Sequence, residues 1–322
     1  MAILPPQTQK WPADKAVLFI HGIGSSKVGD YDPIVAQLEA ILGADSKQFA
    51  LYFLYYDQIN QWFETKLQAQ EQITKLISFL SSQLEATTLG KAAADFAGDV
   101  IWPVLIADAR LAIRAAVLQQ LQQIVLDGIA ANVQPRDQHI TIIAHSLGCF
   151  HAYEALSFAA ANPAEGLGPA SAGVVLQNLI FMASPVQLIR TSAEKLGGAV
   201  PQPKSMFSLS SPSLQIPSEI GDDGRPKLCA KNTVSIVGNL DPVGGFFFRS
   251  QLPWAYAHLP GQDEKIDQEK VATVNGSEEI SLASILLSSL QTQEPPKIAP
   301  ENPHDWSAYI ARHADDLRKW LA

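Results

Sequence analysis

His139-Ile140-Thr141-Ile142-Ile143-Ala144-His145-Ser146-Leu147-Gly148 decides how this chain folds. Ile140, Ile142 and Ile143 form a short, uncharged, β-branched run, the mark of a parallel strand buried on both faces. The run ends in a small-x-Ser-x-small pentapeptide, Ala144 to Gly148. Behind it Cys149, Tyr153, Leu156 and Ala160 recur at helical spacing. A strand, a sharp turn at a serine and then a helix is the setting a nucleophile elbow requires. Small residues flank the serine because the turn brings strand and helix backbones very close; a Cβ is tolerable at Ala144, where glycine is commoner. Ser146 then projects from the top of a sheet with its Oγ exposed and a helix N-terminus beneath it. The plainer alternative is a serine N-cap opening an ordinary helix. A second motif, far upstream, separates the two.

Ala16-Val17-Leu18-Phe19-Ile20 is another buried-strand run, and it leads into His21-Gly22-Ile23-Gly24. Ile34, Val35, Leu38, Ile41 and Leu42 follow as a helical stripe. Acyl transfer needs, besides a nucleophile, a backbone N–H aimed where the carbonyl oxygen becomes an oxyanion. Glycines there let the backbone approach a substrate with no side chain in the way. The expected donors are the N–H groups of Ile23 and Leu147, the latter following the nucleophile. A dinucleotide fingerprint would need a third glycine at position 27, where Lys27 stands, and no Gly-Lys-Ser/Thr phosphate loop occurs.

With both motifs in this order, the chain resembles the α/β-hydrolase superfamily of serine esterases and lipases. The resemblance rests on Phe19 to Gly24 and Ala144 to Gly148 and extends from about residue 16 to the C-terminus. Within the superfamily it is most similar to serine esterases related to lipases and to GPI-inositol deacylases. That narrower likeness leans on Asn239-Leu240-Asp241-Pro242-Val243-Gly244 and on Asn302-Pro303-His304 through Tyr309. It implies an α/β fold, with a mostly parallel central sheet, helices on both faces, and lid or cap insertions. It also implies a triad in the chain order Ser, acid, His. The acid then falls just past a buried strand after Ser146; Thr233 to Gly238 is such a strand, and Asp241 follows it. Asp241 could instead simply initiate an Asp-Pro turn. Asp222 and Asp223, in a Gly-Asp-Asp-Gly stretch with no strand before them, read as solvated turn residues. Three histidines follow Asp241. His304, in a Pro-rich loop before the last helix, stands where this family places its base. His258 is the alternative, although so soon after Asp241 it leaves little room for another sheet element. His313 falls on the apolar stripe Trp306, Ile310, His313, Leu317, Trp320 and reads as a packed core residue. His21 and His145 are expected to hydrogen-bond locally; His139 and His151 carry no functional signal.

The chain has 322 residues, 47% hydrophobic and 17% charged, which fits one large globular domain over 1–322 with a substantial core. A net charge of −9 argues against nucleic acid or an anionic membrane as main partner. Two cysteines, Cys149 and Cys229, make no disulfide framework, and Cys149 reads as a small buried hydrophobe. Met1-Ala2-Ile3-Leu4-Pro5-Pro6 has neither the basic region nor the apolar core of a signal peptide, so the expected location is cytoplasmic. The most apolar stretch, Val100 to Ala107, is far shorter than the roughly 20 residues that span a bilayer. No metal and no cofactor is expected.

Strands are expected at 16–20, 49–56, 139–145, 174–183 and 232–238, and helices at 31–42, 62–85, 110–130, 147–161 and 306–321. Two regions exceed the minimal fold, an apolar excursion at 87–110 and the segment 185–230; both sit where this family inserts lid or cap elements, with a disordered connection as the alternative for 185–230. The function these features imply is hydrolysis of carboxylic esters by Ser146, His304 and Asp241 through an acyl-enzyme. Thioester or amide cleavage, acyl transfer to an acceptor, and a non-catalytic binding protein of the same fold are the alternatives. Phe246, Phe247 and Phe248, with Trp254 and Tyr256, either line an acyl pocket for a small-molecule or lipid-like ester or simply pack their loop.

Overall fold

The computed structural model describes residues 15–22, 29, 31–56, 59, 107–161, 174, 176–185, 219–220, 226–230, 232–237, 256–258, 271–273 and 306–321. Five apolar runs form strands close to where the sequence places them: β1 (Lys15–Ile20), β2 (Phe49–Leu54), β3 (His139–His145), β4 (Leu176–Met182) and β7 (Asn232–Val237). With β9 (Val271–Thr273) they make a six-stranded sheet in the order β2-β1-β3-β4-β7-β9, and each of its pairings is parallel. Parallel neighbours cannot be joined by a tight hairpin, so the chain must cross over between them. The described crossovers carry helices: α1 (Asp32–Leu42) between β1 and β2, α2 (Ala107–Ala130) before β3, and α3 (Leu147–Ala161) between β3 and β4. Two short helices, α4 (Trp306–Arg312) and α5 (Ala314–Leu321), follow β9.

Alternation along β1 distributes the core between the two faces of the sheet. Val17 and Phe19 pack with Ile34 and Leu38 of α1, Ile310 of α4 and Leu317 of α5. Ala16, Leu18 and Ile20 pack on the other side with Ile113 and Val117 of α2 and Phe150 of α3. An α/β arrangement with a parallel sheet between helices is therefore established. The C-terminal helices are tied down by polar contacts as well. Asn178 Nδ2 on β4 donates to the Trp320 carbonyl at 2.8 Å, and Arg318 Nε donates to the Ile41 carbonyl at the end of α1 at 2.5 Å.

Some expected boundaries move. β2 ends at Leu54 instead of 56, and β4 is shorter at each end than 174–183. The last helix is interrupted at His313, although hydrogen bonds run across the break from His313 N to Tyr309 O and from Leu317 N to His313 O. A smaller sheet joins β5 (Glu219–Ile220), β6 (Pro226–Ala230) and β8 (Tyr256–His258), antiparallel in its first pairing and parallel in its second. Part of 185–230 is thus strand. His258 lies on a strand after all, opposite Ala230, because three residues suffice to pair with β6. The expected helix at 62–85 and most of the two expected insertions lie outside the described residues; 107–110 belongs to α2. Among the described residues, no helix is long and apolar enough to cross a membrane.

A buried ionic cluster joins α2 to α3. Arg110 Nε lies 3.0 Å and Arg114 Nη1 3.9 Å from Glu154 Oε1, and the Arg114 guanidinium also sits over the Phe158 ring. Burial pushes the Glu154 carboxyl up to about 7, against the pull of Arg110 and Arg114. One turn earlier, burial and then the neighbouring His21 push the His151 imidazole down to about 3. These groups act on stability with opposite signs. The neutral Glu154 carboxyl contributes stability at low pH that is lost as pH rises through about 7. The neutral His151 ring contributes stability at high pH that is lost as pH falls toward about 3. Between their ordinary values of 4.5 and 6.5 the two slopes oppose each other. Glu154→Gln is expected to leave a stability that rises with pH across that window, and His151→Leu one that falls, each by up to about 1.4 kcal/mol per pH unit. Urea unfolding at several pH values checks this; slopes of the same sign in both variants would contradict it.

Candidate active site

The strand order reverses between β1 and β3. From β1 the chain moves outward to β2, whereas from β3 it moves the other way to β4. In open parallel sheets the crevice for a ligand opens at the carboxyl ends of the strands flanking such a reversal. Those ends are Ile20-His21-Gly22 and Ala144-His145-Ser146, the two motifs that stand out in the sequence.

Ser146 occupies the left-handed region with φ of 52°, a conformation costing a non-glycine residue on the order of 1–3 kcal/mol. Its surroundings fix it there. Ser146 N donates to the Met182 carbonyl on β4 at 2.9 Å, and Ser146 O accepts from Cys149 N at 3.0 Å as α3 begins. Ala183, just past β4, repeats the device with φ of 53° and a bond from its N–H to Ile236 O on β7. Two strained residues therefore stand side by side at the carboxyl edge of the sheet.

The glycines on either side show why this turn demands small residues. A Cβ on Gly22 would stand 2.6 Å from Ser146 Cβ and 3.1 Å from Ser146 Oγ. A Cβ on Gly148 would run into the carbonyl oxygens of Ile20 and His21, which are backbone and cannot swing away. Gly148 lets α3 descend directly onto the end of β1. Gly148→Ala is therefore expected to lower stability by about 1–3 kcal/mol, the usual range for overpacking. Denaturant midpoints measure this directly, and an unchanged midpoint would mean that helix and strand do not approach this closely.

Aromatic contacts surround the two motifs. His21 Nδ1 lies 2.6 Å from the Gly22 carbonyl, so this nitrogen carries the proton, and the ring stacks on Tyr56 at 4.4 Å. The Tyr56 hydroxyl reaches the His21 carbonyl at 2.9 Å and the Gly22 carbonyl at 2.7 Å. His145, immediately before Ser146, stacks on Trp306 of α4 at 5.5 Å and meets Tyr309 edge-on. His151 also meets Tyr56, edge-on at 4.8 Å. Cys149 is buried: its Sγ faces the Met182 carbonyl, and burial pushes the thiol strongly up, which keeps it protonated. His313 is buried, with Nδ1 3.1 Å from Asp316 Oδ2.

The structure thus brings Ser146, Leu147 and Gly22 together. Leu147 N–H belongs to the first turn of α3, where amides have no intrahelical acceptor and the helix dipole favours negative charge. Ile23, Asp241, His304 and Phe246 to Phe248 lie outside the described residues. One expectation needs correction. Ser146 is only 1% exposed, so its side chain is enclosed and does not stand open at the top of the sheet. The serine turn sits between the strand ends, with Gly22 packed against it. Tyr56 escaped the sequence reading. The only signal was its position: β1 and β2 run in register from Lys15↔Phe49 to Ile20↔Leu54, which puts Tyr56 level with Gly22. Among the described residues, no group of three or more His, Cys, Asp or Glu could hold a metal ion. No protein family, curated protein or solved structure matches this chain.

Proposed function

We propose that this protein is a serine hydrolase of carboxylic esters with an α/β-hydrolase fold, and that Ser146 is its nucleophile. One observation carries this reading: a serine at positive φ, at the strand-order reversal, pressed against Gly22 at the end of the neighbouring strand. An N-capping serine needs none of that strain. In the proposed reaction His304 removes the proton from Ser146 Oγ as it attacks the ester carbonyl, and Asp241 holds the imidazolium. The Ile23 and Leu147 amides donate hydrogen bonds to the oxyanion. Collapse expels the alcohol, which takes the proton from His304, and water then releases the acid from the acyl-enzyme by the same steps.

Chain connectivity supports His304 as the base. Trp306 stacks on His145, the neighbour of Ser146, and His304 precedes Trp306 by two residues in the sequence. Asp241 follows the end of β7 at Val237 by four residues and is the proposed acid. Phe246, Phe247 and Phe248 follow soon after and are the proposed acyl-binding surface.

The enclosure of Ser146 favours a second reading, a non-catalytic protein that kept the elbow. A fluorophosphonate probe distinguishes the two. Covalent labelling located on Ser146 by peptide mass supports the hydrolase, and an unlabelled, folded chain supports the binding protein.

A further inference from the structure

We infer that Tyr56 is a positioning residue of the oxyanion hole, acting through the Gly22 carbonyl; this rests on the hydrolase reading above. Tyr56 is fully buried and its hydroxyl lies 2.7 Å from Gly22 O. His21 Nδ1 reaches the same oxygen at 2.6 Å, and a carbonyl oxygen has two lone pairs to offer. Both are engaged, and the direction of the Gly22 carbonyl is set by two donors held in one ring stack.

That direction matters because a peptide group is planar and trans. The N–H that shares a peptide group with the Gly22 carbonyl belongs to Ile23, the proposed oxyanion donor. In a trans peptide group the N–H points opposite to the carbonyl, so whatever clamps the oxygen of such a group also aims its amide. Oxyanion stabilisation depends on such aim, since donors that are already oriented need not reorganise as charge develops. The clamp is well built for this task. His151 meets the Tyr56 ring edge-on at 4.8 Å, and the hydroxyl, whose one proton is shared between the two carbonyls, also lies 2.9 Å from His21 O. A tyrosine needed only for packing would not require its hydroxyl at this point.

Tyr56→Phe keeps the ring and removes only the hydroxyl. The expected result is a kcat for ester hydrolysis lower by about tenfold to hundredfold, part of the loss seen when an oxyanion donor is removed outright, with KM nearly unchanged. Purely structural damage would not produce the second signature, which is loss of discrimination between an oxoester and its thionoester. Sulfur is a weak acceptor, so a well-aimed N–H favours the oxygen substrate. The ratio of kcat/KM for the oxoester over the thionoester is expected to fall in Tyr56→Phe. If that variant does not fold, His21→Phe keeps the stack, removes the other donor to the same carbonyl, and is expected to show the same two effects. Parent-like kcat and parent-like discrimination in the folded variant, with the parent active through Ser146, would overturn the role of Tyr56 alone. A parent chain with no Ser146-dependent activity would overturn the hydrolase reading and this inference with it.

Discussion

Ser146→Ala is expected to fold like the parent and to lose ester hydrolysis by on the order of 10³-fold or more in kcat/KM. Stability should survive because the strain at this position belongs to the backbone: Ala meets the same cost at positive φ as Ser, and the bonds from Ser146 N to Met182 O and from Cys149 N to Ser146 O involve no side chain. Ser146→Gly should melt no lower than Ser146→Ala, since glycine occupies the left-handed region without a Cβ penalty. Activity should collapse because Ser146 Oγ is the proposed attacking atom and the buried thiol nearby does not substitute for it. Cys149 is buried with its thiol held protonated and facing Met182 O. Purified Ser146→Ala protein that hydrolyses esters at the parent rate would refute the proposed function.

The second large effect concerns the base. His304→Ala should approach Ser146→Ala in its loss of activity, and the double variant should be little worse than either single one, because members of a triad act as a unit. His258→Ala should be mild. His258 lies on β8, paired with β6 in the smaller sheet, whereas His304 is tethered to Trp306, which stacks on His145 beside the elbow. If His258→Ala proves the damaging change and His304→Ala the mild one, the base has been misassigned, while Ser146 keeps its role.

Much of this arrangement was legible in the chain itself. The runs at 16–20 and 139–145 are short, apolar and β-branched, and they form adjacent interior strands because a strand covered on both faces has no place for charge. The small residues around Ser146 announced a tight approach, and Gly148 lies hard against the Ile20 and His21 carbonyls. The stripe through His313 marked that histidine as a core residue, and it is buried, although at the break between α4 and α5 instead of within one helix. Strand ends were less legible, since β2 loses its pairing at Leu54 while the sequence remains apolar through Tyr56.

By itself the sequence determined the local elements, their alternation and the serine turn, all of which follow from hydrophobic period and side-chain size over a few residues. Only the tertiary structure decided that β1 and β3 are neighbours at the reversal of strand order, so that Gly22 meets Ser146 across 124 positions of chain. It alone enclosed the serine, brought Trp306 against His145, and set the Tyr56 hydroxyl on the Gly22 carbonyl. Contacts of this kind depend on which distant segments pair and on ångström-scale approach of their backbones, and no local pattern of residues carries that information.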